Sequence, residues 1–233
     1  MIYGFIPARS GSSRLKDKNF LMLESKRLFE WSVETANKST EIQKIIFSSD
    51  SDKYIEYTKS IKLNKELIID KRSSANATNN TKIYEYLKGD FLKNNVYLKD
   101  DDYILMLLPT QPFRKVEDIT NILKLNKETN KNIFSSRKYD FHVSFAFELL
   151  ENSFYKPLFS DSPLITGNTR SQDQVNYLHP DGSIYLLSVK SLCENHKSIY
   201  ANAVPFISTS KYYIDIDDEK DFEFARYLAK NLK

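Results

Sequence analysis

Four cations, Arg9, Arg14, Lys16 and Lys18, punctuate a run of small and hydroxylated residues, Ala8, Ser10, Gly11, Ser12 and Ser13. Small side chains let backbone N–H groups approach a phosphate, and guanidinium and ammonium groups match its charge. The stretch therefore reads as an anion-holding loop. It lacks the Gly-x-x-x-x-Gly-Lys-Ser/Thr frame of a Walker loop. It also has only Gly11 where a dinucleotide fingerprint needs three glycines.

A second chemical signal lies near the other end, where Asp215 and Asp217 alternate with Ile214 and Ile216. In an extended segment residues two apart point the same way, so both carboxylates would project together. Such a pair suits Mg²⁺, which keeps several waters and binds through one or two carboxylates plus substrate phosphates. The plainer alternative is that acids here cap a closing helix whose first turn holds Asp218, Glu219 and Asp221. The cationic loop favours the metal, because triphosphates and Mg²⁺ come together. His142, His179 and His196 show no metal-ligand spacing and read as surface or packing residues. Arg114 reads equally as an anion contact or as a solvated arginine at a helix start.

Composition sets bounds on these readings. At 233 residues the chain suits one α/β domain, or one with a small appendage. Its 34 cations are offset by 31 carboxylates, so a net charge of +3 gives no argument for nucleic acid. The single cysteine, Cys193, excludes an internal disulfide framework, favours a cytoplasmic setting, and reads as a buried or half-buried packing residue. The first apolar run has no preceding positive region and is cut short by Pro7 and Arg9, so no secretory signal is read. The longest apolar run, Tyr103 to Leu108, is far below the roughly 20 residues that span a bilayer, and a soluble chain is expected.

The elements that must hold the chemistry alternate in the first half. Strands are expected at residues 2–6, 45–47, 67–69 and 103–108, the last apolar throughout and so buried on both faces. Helices are expected over Leu28 to Lys38, over Lys53 to Ile61 after an N-cap in residues 48–52, around Ile83, Tyr86 and Leu87, and around Val116, Ile119, Ile122 and Leu123. Trp31 reads as core or interface packing. This rhythm predicts a Rossmann-like, three-layer α/β/α, mostly parallel sheet. Ligands bind such sheets beyond the carboxyl ends of the strands, so loops 7–19, 48–52, 71–81 and 109–114 should converge. The second half is less regular. Strands are expected at residues 133–134, 183–188 and 203–207, with β-favouring residues over 141–150 and a closing helix over Asp218 to Leu232. Residues 151–180 carry Pro157, Pro163, Gly167 and Pro180 among several aromatics, and read as an arm that packs in a dimer.

Several motifs resemble those of the CMP-sugar synthetases, in particular the acylneuraminate cytidylyltransferases. They are Ile6-Pro7-Ala8-Arg9-Ser10-Gly11-Ser12 with Lys18-Asn19, Leu108-Pro109-Thr110-Gln111-Pro112-Phe113-Arg114, Arg170-Ser171-Gln172-Asp173, Asp181-Gly182-Ser183-Ile184-Tyr185, and Asp215-Ile216-Asp217 with Asp221. The resemblance implies a nucleotidyltransferase over residues 1–233, with a dimerisation insertion at about 138–180. It would join CMP from CTP to the anomeric hydroxyl of a 2-keto-3-deoxy nonulosonic acid and release pyrophosphate. Carried over by position, Ala8, Arg9, Ser10, Gly11, Ser12, Lys18, Asn19, Arg72 and Thr81 would contact nucleotide. Leu108, Thr110, Gln111, Arg170, Gln172 and Tyr185 would face the sugar, and Asp215 and Asp217 would hold Mg²⁺. Arg9, Lys18, Asp215 and Asp217 would carry the catalysis. The chain departs from the pattern at Leu108 (Gln in the family), Gln111 (Ser), Asn79 (Asp), Ser171 (Arg) and Ser13-Arg14 (Lys-Gly). The last pair is similar to the 3-deoxy-manno-octulosonate synthetases. Two alternatives therefore stand beside the leading one: the same chemistry on octulosonate or a sugar phosphate, and a non-catalytic nucleotide-binding protein.

Overall fold

A computed structural model describes residues 1–194 and 196–231, which divide into two compact units. One comprises Met1–Ser135 and Asp181–Lys233, and the other Ser136–Pro180.

In the larger unit the apolar runs form strands because continuous apolarity can be buried on both faces only inside a sheet. β1 (Ile2–Pro7) is followed by a small hairpin, β2 (Met22–Leu23) and β3 (Lys26–Arg27), and by α1 (Leu28–Lys38). Next come β4 (Lys44–Ser49), α2 (Asp52–Ser60) and β5 (Glu66–Lys71). Ser51 caps α2 by accepting a hydrogen bond from Tyr54 N–H. α3 (Ile83–Tyr86), a π turn at Leu87–Phe91 and α4 (Leu92–Asn94) lead to β6 (Tyr103–Leu107), α5 (Val116–Thr129) and β7 (Asn132–Lys138).

The smaller unit holds a short hairpin, β8 (Phe147–Leu149) with β9 (Tyr155–Pro157), and α6 (Pro163–Thr166), which Ser162 caps. Its ordered interior includes Ser162 Oγ donating to Ser144 O and the Phe159 ring stacked on Tyr177. Phe141, Leu149 and Phe154 nevertheless stay largely in solvent. Of the β-favouring stretch 141–150, only Phe147–Leu149 becomes a strand.

The chain then returns through β10 (Leu178–Ser188), α7 (Val189–Cys193), β11 (Ala203–Ile207) and α8 (Glu219–Lys230). α7 was not expected from the sequence. Ser188 ends the strand and caps the helix by accepting from Ser191 N–H. The same turn exposes Cys193, against the expectation of burial. Asp218 is the N-cap of α8, whose inner face is Phe222, Ala225, Leu228 and Ala229; Leu232 lies outside the described residues.

The seven-stranded sheet has the order β11-β7-β10-β6-β1-β4-β5. β6, β1, β4 and β5 run parallel, and β10 is antiparallel to β6. From β1 the chain first moves outward to β4 and β5, then returns to β6 on the other side of β1. That reversal places a crevice at the carboxyl ends of β1 and β6, where open α/β sheets bind ligands. Gly4 lets a neighbour approach β1 closely, because a Cβ there would lie 3.2 Å from both Ala36 Cβ and Ile42 Cδ1. The core between the sheet and α1, α2 and α5 includes Phe47, fully buried, with its ring centroid 4.9 Å from that of Phe29. Phe47→Ala is expected to lower stability by about 3–5 kcal/mol, read as a reduced midpoint in urea unfolding. No described helix is long and apolar enough to cross a membrane.

Candidate functional site

The loops after β1, β5 and β6 and the segment before α8 enclose a cleft of about 340 Å³. The β1 loop is stitched to β4. Ala8 N–H donates to Ser48 O (2.9 Å), and Ser49 Oγ donates to Ala8 O (2.7 Å). Ser10 gives both its N–H and its hydroxyl to Asp50, at 2.9 and 2.7 Å. Ala8 and Ser10 thus spend their amides inside the protein, which leaves the cleft wall to Arg9, Ser12, Ser13 and Arg14. Asn19 Nδ2 donates to Arg9 O (2.9 Å). Arg9 Nη1 donates to Gly11 O (2.6 Å) and to Asn79 Oδ1 (2.7 Å), bringing the loop after β5 against the loop after β1.

Lys18 ties the two ends of the chain together. It is buried, and its Nζ donates to Ile216 O (2.6 Å) and to Asp217 Oδ1 (3.0 Å). Arg14 Nη2 lies 2.9 Å from the other oxygen, Asp217 Oδ2. Ile216 N–H donates to Thr110 O (3.0 Å), so the β6 loop joins the same cluster. Lys16 remains exposed because the intervening Leu15 is drawn into a core with Leu28, Phe113 and Ile216.

The two aspartates are driven apart electrostatically. Asp215 is open to solvent at its surface yet closely surrounded by protein. Desolvation pushes its pKa up, a hydrogen bond from Thr110 opposes this, and the charge of Asp217 adds to it. Burial also works to raise the pKa of Asp217, but the hydrogen bond and charge of Lys18, joined by Arg14, outweigh it and hold Asp217 below the usual range. Asp217 therefore contributes stability that is present above its unfolded value of about 3.9 and is lost as pH falls through its lower folded value. A carboxyl-detected NMR titration should find Asp217 protonating at lower pH than Asp215. The reverse order would contradict this account of the cluster.

Arg72 forms the opposite wall. It is 6% exposed, its Nη2 donates to Ser48 O (3.1 Å), and its guanidinium lies 5.6 Å from the centre of the Tyr86 ring. Its buried Nε has no partner among the described residues. Burial lowers its pKa, while Tyr86, Asp50 and Asp70 act against that shift. Asp70, buried on β5, accepts from Tyr86 Oη (2.7 Å) and from Ser48 Oγ, which fixes the ring beside Arg72.

The other expected residues are placed less uniformly. Leu108 and Thr110 line the cleft. Gln111 is buried behind them, its N–H on Leu108 O and its Nε2 without a partner among the described residues. Tyr185 is buried on β10, its hydroxyl 3.2 Å from that of Tyr200, and it feels the charges of Asp181 and Asp215. Thr81 does not line the cleft, because its hydroxyl is engaged with Thr78 and Ala75 O. Arg170 and Gln172 belong to the smaller unit, at a turn over Ser171–Asp173. Arg114 is not a solvated arginine at a helix start. It is buried, donates to Ser32 Oγ (2.6 Å) and Leu108 O, and has its pKa lowered by that burial to about 9, Asp181 acting against it. The sequence places Asp50 only in the N-cap run 48–52, and it puts Arg14 below Arg9 and Lys18. Only the sign of the Arg14 charge and its proximity to Lys18 in the chain pointed toward Asp217.

Known proteins resemble this chain in sequence and in fold. The chain is 28% identical to an N-acylneuraminate cytidylyltransferase of Escherichia coli over 96% of its length, but spans only about half (51%) of that relative. It is 26% identical to a pseudaminic acid cytidylyltransferase of Campylobacter jejuni, covering 97% of this chain and 94% of that one. Its fold matches a CMP:2-keto-3-deoxy-manno-octonic acid synthetase solved in complex with CTP, at a TM-score of 0.69 and 15% identity, over 100% of this chain and 99% of that one. A sequence profile described as Cytidylyltransferase matches residues 3–154, well over half of the chain. With that match over β1, β5 and β6 and the loops that follow them, the chain belongs to the cytidylyltransferase family.

Proposed function

We propose that the protein transfers CMP from CTP to the anomeric hydroxyl of a 2-keto-3-deoxy nonulosonic acid, such as a sialic, legionaminic or pseudaminic acid, and releases pyrophosphate. The observation that carries this reading is the joining of Lys18, Arg14 and Asp217 beside Arg9 and Arg72 in one cleft. Nucleotidyl transfer asks for positioning and charge neutralisation more than for covalent chemistry. Arg9, Lys18 and Arg72 would hold the triphosphate. Ser12 and Asn19 would shape the loop around it, and Leu108 and Thr110 would face the sugar. The hydroxyl oxygen bonds to the α-phosphorus as the bond to the β-phosphate bridge breaks. Asp215, the more basic of the two carboxylates, is suited to take the hydroxyl proton.

Mg²⁺ fits this donor set. Asp217 lies close enough to Asp215 for its charge to help raise the pKa of Asp215, and among the described residues no cluster of three or more potential metal ligands occurs. Two carboxylates that leave the remaining positions to phosphate and water match the preference of Mg²⁺. When bound, it would neutralise charge on the triphosphate.

The smaller unit, with Phe141, Leu149 and Phe154 in solvent, is suited to pack against a second copy of the chain. A homodimer and a cytoplasmic setting belong to the same proposal. Octulosonate is the second reading, because Ser13-Arg14 is similar to that sister family.

The test is pyrophosphate release from CTP and Mg²⁺ with a panel of 2-keto sugar acids. Turnover with a nonulosonic acid supports the proposal, and turnover with octulosonate alone favours the second reading. CTP binding without turnover on any acceptor would point to a non-catalytic nucleotide-binding protein.

A further inference from the structure

A second cleft, of about 470 Å³, opens between α1, the loop before α5 and residues 210–212. Its size falls within the range of about 300–1,000 Å³ common for small-molecule sites. Three aromatic rings form its walls. Trp31 meets Phe113 edge to face, with centroids 5.6 Å apart and an angle of 88°, and Tyr212 joins them. Trp31 is the only tryptophan in the chain, is half-buried, and its indole N–H donates to Leu23 O.

The charge lining this cleft is one-sided. Lys26, Lys38, Arg114, Lys115 and Lys211 line it against a single carboxylate, Glu34. Glu34 is already shared between Lys26 (2.6 Å) and Lys38 (3.3 Å). Lys115 and Lys211 have no carboxylate partner among the described residues, and Lys211 Nζ sits 5.2 Å from the centre of the Tyr212 ring. Arg114, at the cleft floor, makes its hydrogen bonds to neutral oxygens and feels the charge of Asp181. Inorganic phosphate would answer the lysines and leave the rings idle, and an apolar ligand would do the opposite. A ligand that joins a planar ring to several negative charges answers both.

We propose that this cleft is a binding site for a nucleoside polyphosphate, with the base against Trp31, Phe113 and Tyr212 and the phosphates on Lys115 and Lys211. The site is separate from the catalytic cleft and shares one element with it. Arg114 on its floor donates to the carbonyl of Leu108, and Leu108 lines the catalytic side.

Because Trp31 is the only tryptophan, its fluorescence reports on this cleft without any need for turnover, so the outcome is independent of the catalytic proposal. The probes are ATP, adenosine and pyrophosphate, titrated separately into the wild-type chain, a Lys115→Ala/Lys211→Ala variant and an Arg9→Ala variant. Both lysines are exposed, and circular dichroism checks that the fold is kept. The expected result is a saturable change with ATP, at least about tenfold tighter than with adenosine or pyrophosphate. It should weaken at least about tenfold in the double-lysine variant and survive Arg9→Ala. Lys211→Glu alone should weaken it in the same direction. Each of four results would overturn the proposal: no saturable change with ATP, equal binding of pyrophosphate, indifference to the lysines, or loss on Arg9→Ala.

Discussion

Replacing Asp215 with asparagine is expected to reduce CMP transfer by about 10²–10⁴-fold, the usual contribution of a positioned general base, while the folded state is retained. The two effects separate because of where the carboxylate sits. Desolvation raises the pKa of Asp215, so its ionised form is disfavoured by the fold and its charge adds no stability at neutral pH. Asparagine keeps the shape and the contact with Thr110 and removes that penalty. The thermal midpoint should therefore stay the same or rise while pyrophosphate release collapses. Unchanged turnover would remove Asp215 from the catalytic assignment, and the reading of Mg²⁺ at Asp215 and Asp217 would fall with it.

The second large effect is expected at Lys18, where activity and stability should fall together. Lys18 is 8% exposed and makes hydrogen bonds to Ile216 O and to Asp217. Methionine preserves most of the stem but leaves the buried carbonyl without its charged donor. A loss of about 1–3 kcal/mol follows from the broken charged hydrogen bonds, with the Asp217 share at the low end because that side chain is 37% exposed. Turnover should fall by about 10²–10³-fold. The pKa of Asp217 should move back toward the ordinary carboxylate range, since the hydrogen bond and charge of Lys18 are what chiefly outweigh its desolvation. Lys18→Arg should not restore activity, because the planar guanidinium fork cannot occupy the place of a compact ammonium. Full activity in the methionine variant would exclude Lys18 from the phosphate site. An unmoved Asp217 titration would exclude the ion pair.

The strands β1, β4, β5 and β6 were legible because each holds a short apolar run between turn signals, whereas the hairpin of β2 and β3 was not. Tyr103 to Leu108 has no exposed face to reconcile, and Leu28 to Lys38 carries one apolar stripe. The alternation of strand and helix also implied the parallel sheet and the convergence of its carboxyl-end loops. The short helix at Val189–Cys193 was not legible, because it follows from a single cap at Ser188 rather than from any periodicity. Nor was the burial of Arg114, which depends on Ser32 and Ser183 arriving from distant elements. Cys193 was misjudged because residue type speaks to average burial, whereas the last turn of a short helix exposes whichever residue falls there.

Local sequence determined the kinds of residue available for chemistry: a cationic loop of small residues, and two carboxylates spaced by one isoleucine. Short-range spacing and charge suffice to state that much. Only the tertiary structure decided how these groups are paired. Lys18 and Asp217 are 199 positions apart, and the sheet closes that distance to 3.0 Å. The same packing separates Arg14, which reaches Asp217, from Lys16, which is turned to solvent by the burial of Leu15. It also turns two aspartates of the same intrinsic acidity into one acid with a raised pKa and one with a lowered pKa. Desolvation dominates at Asp215, and the ammonium and guanidinium groups prevail at Asp217. Pairing and solvation are properties of three-dimensional distance, which one-dimensional spacing does not encode.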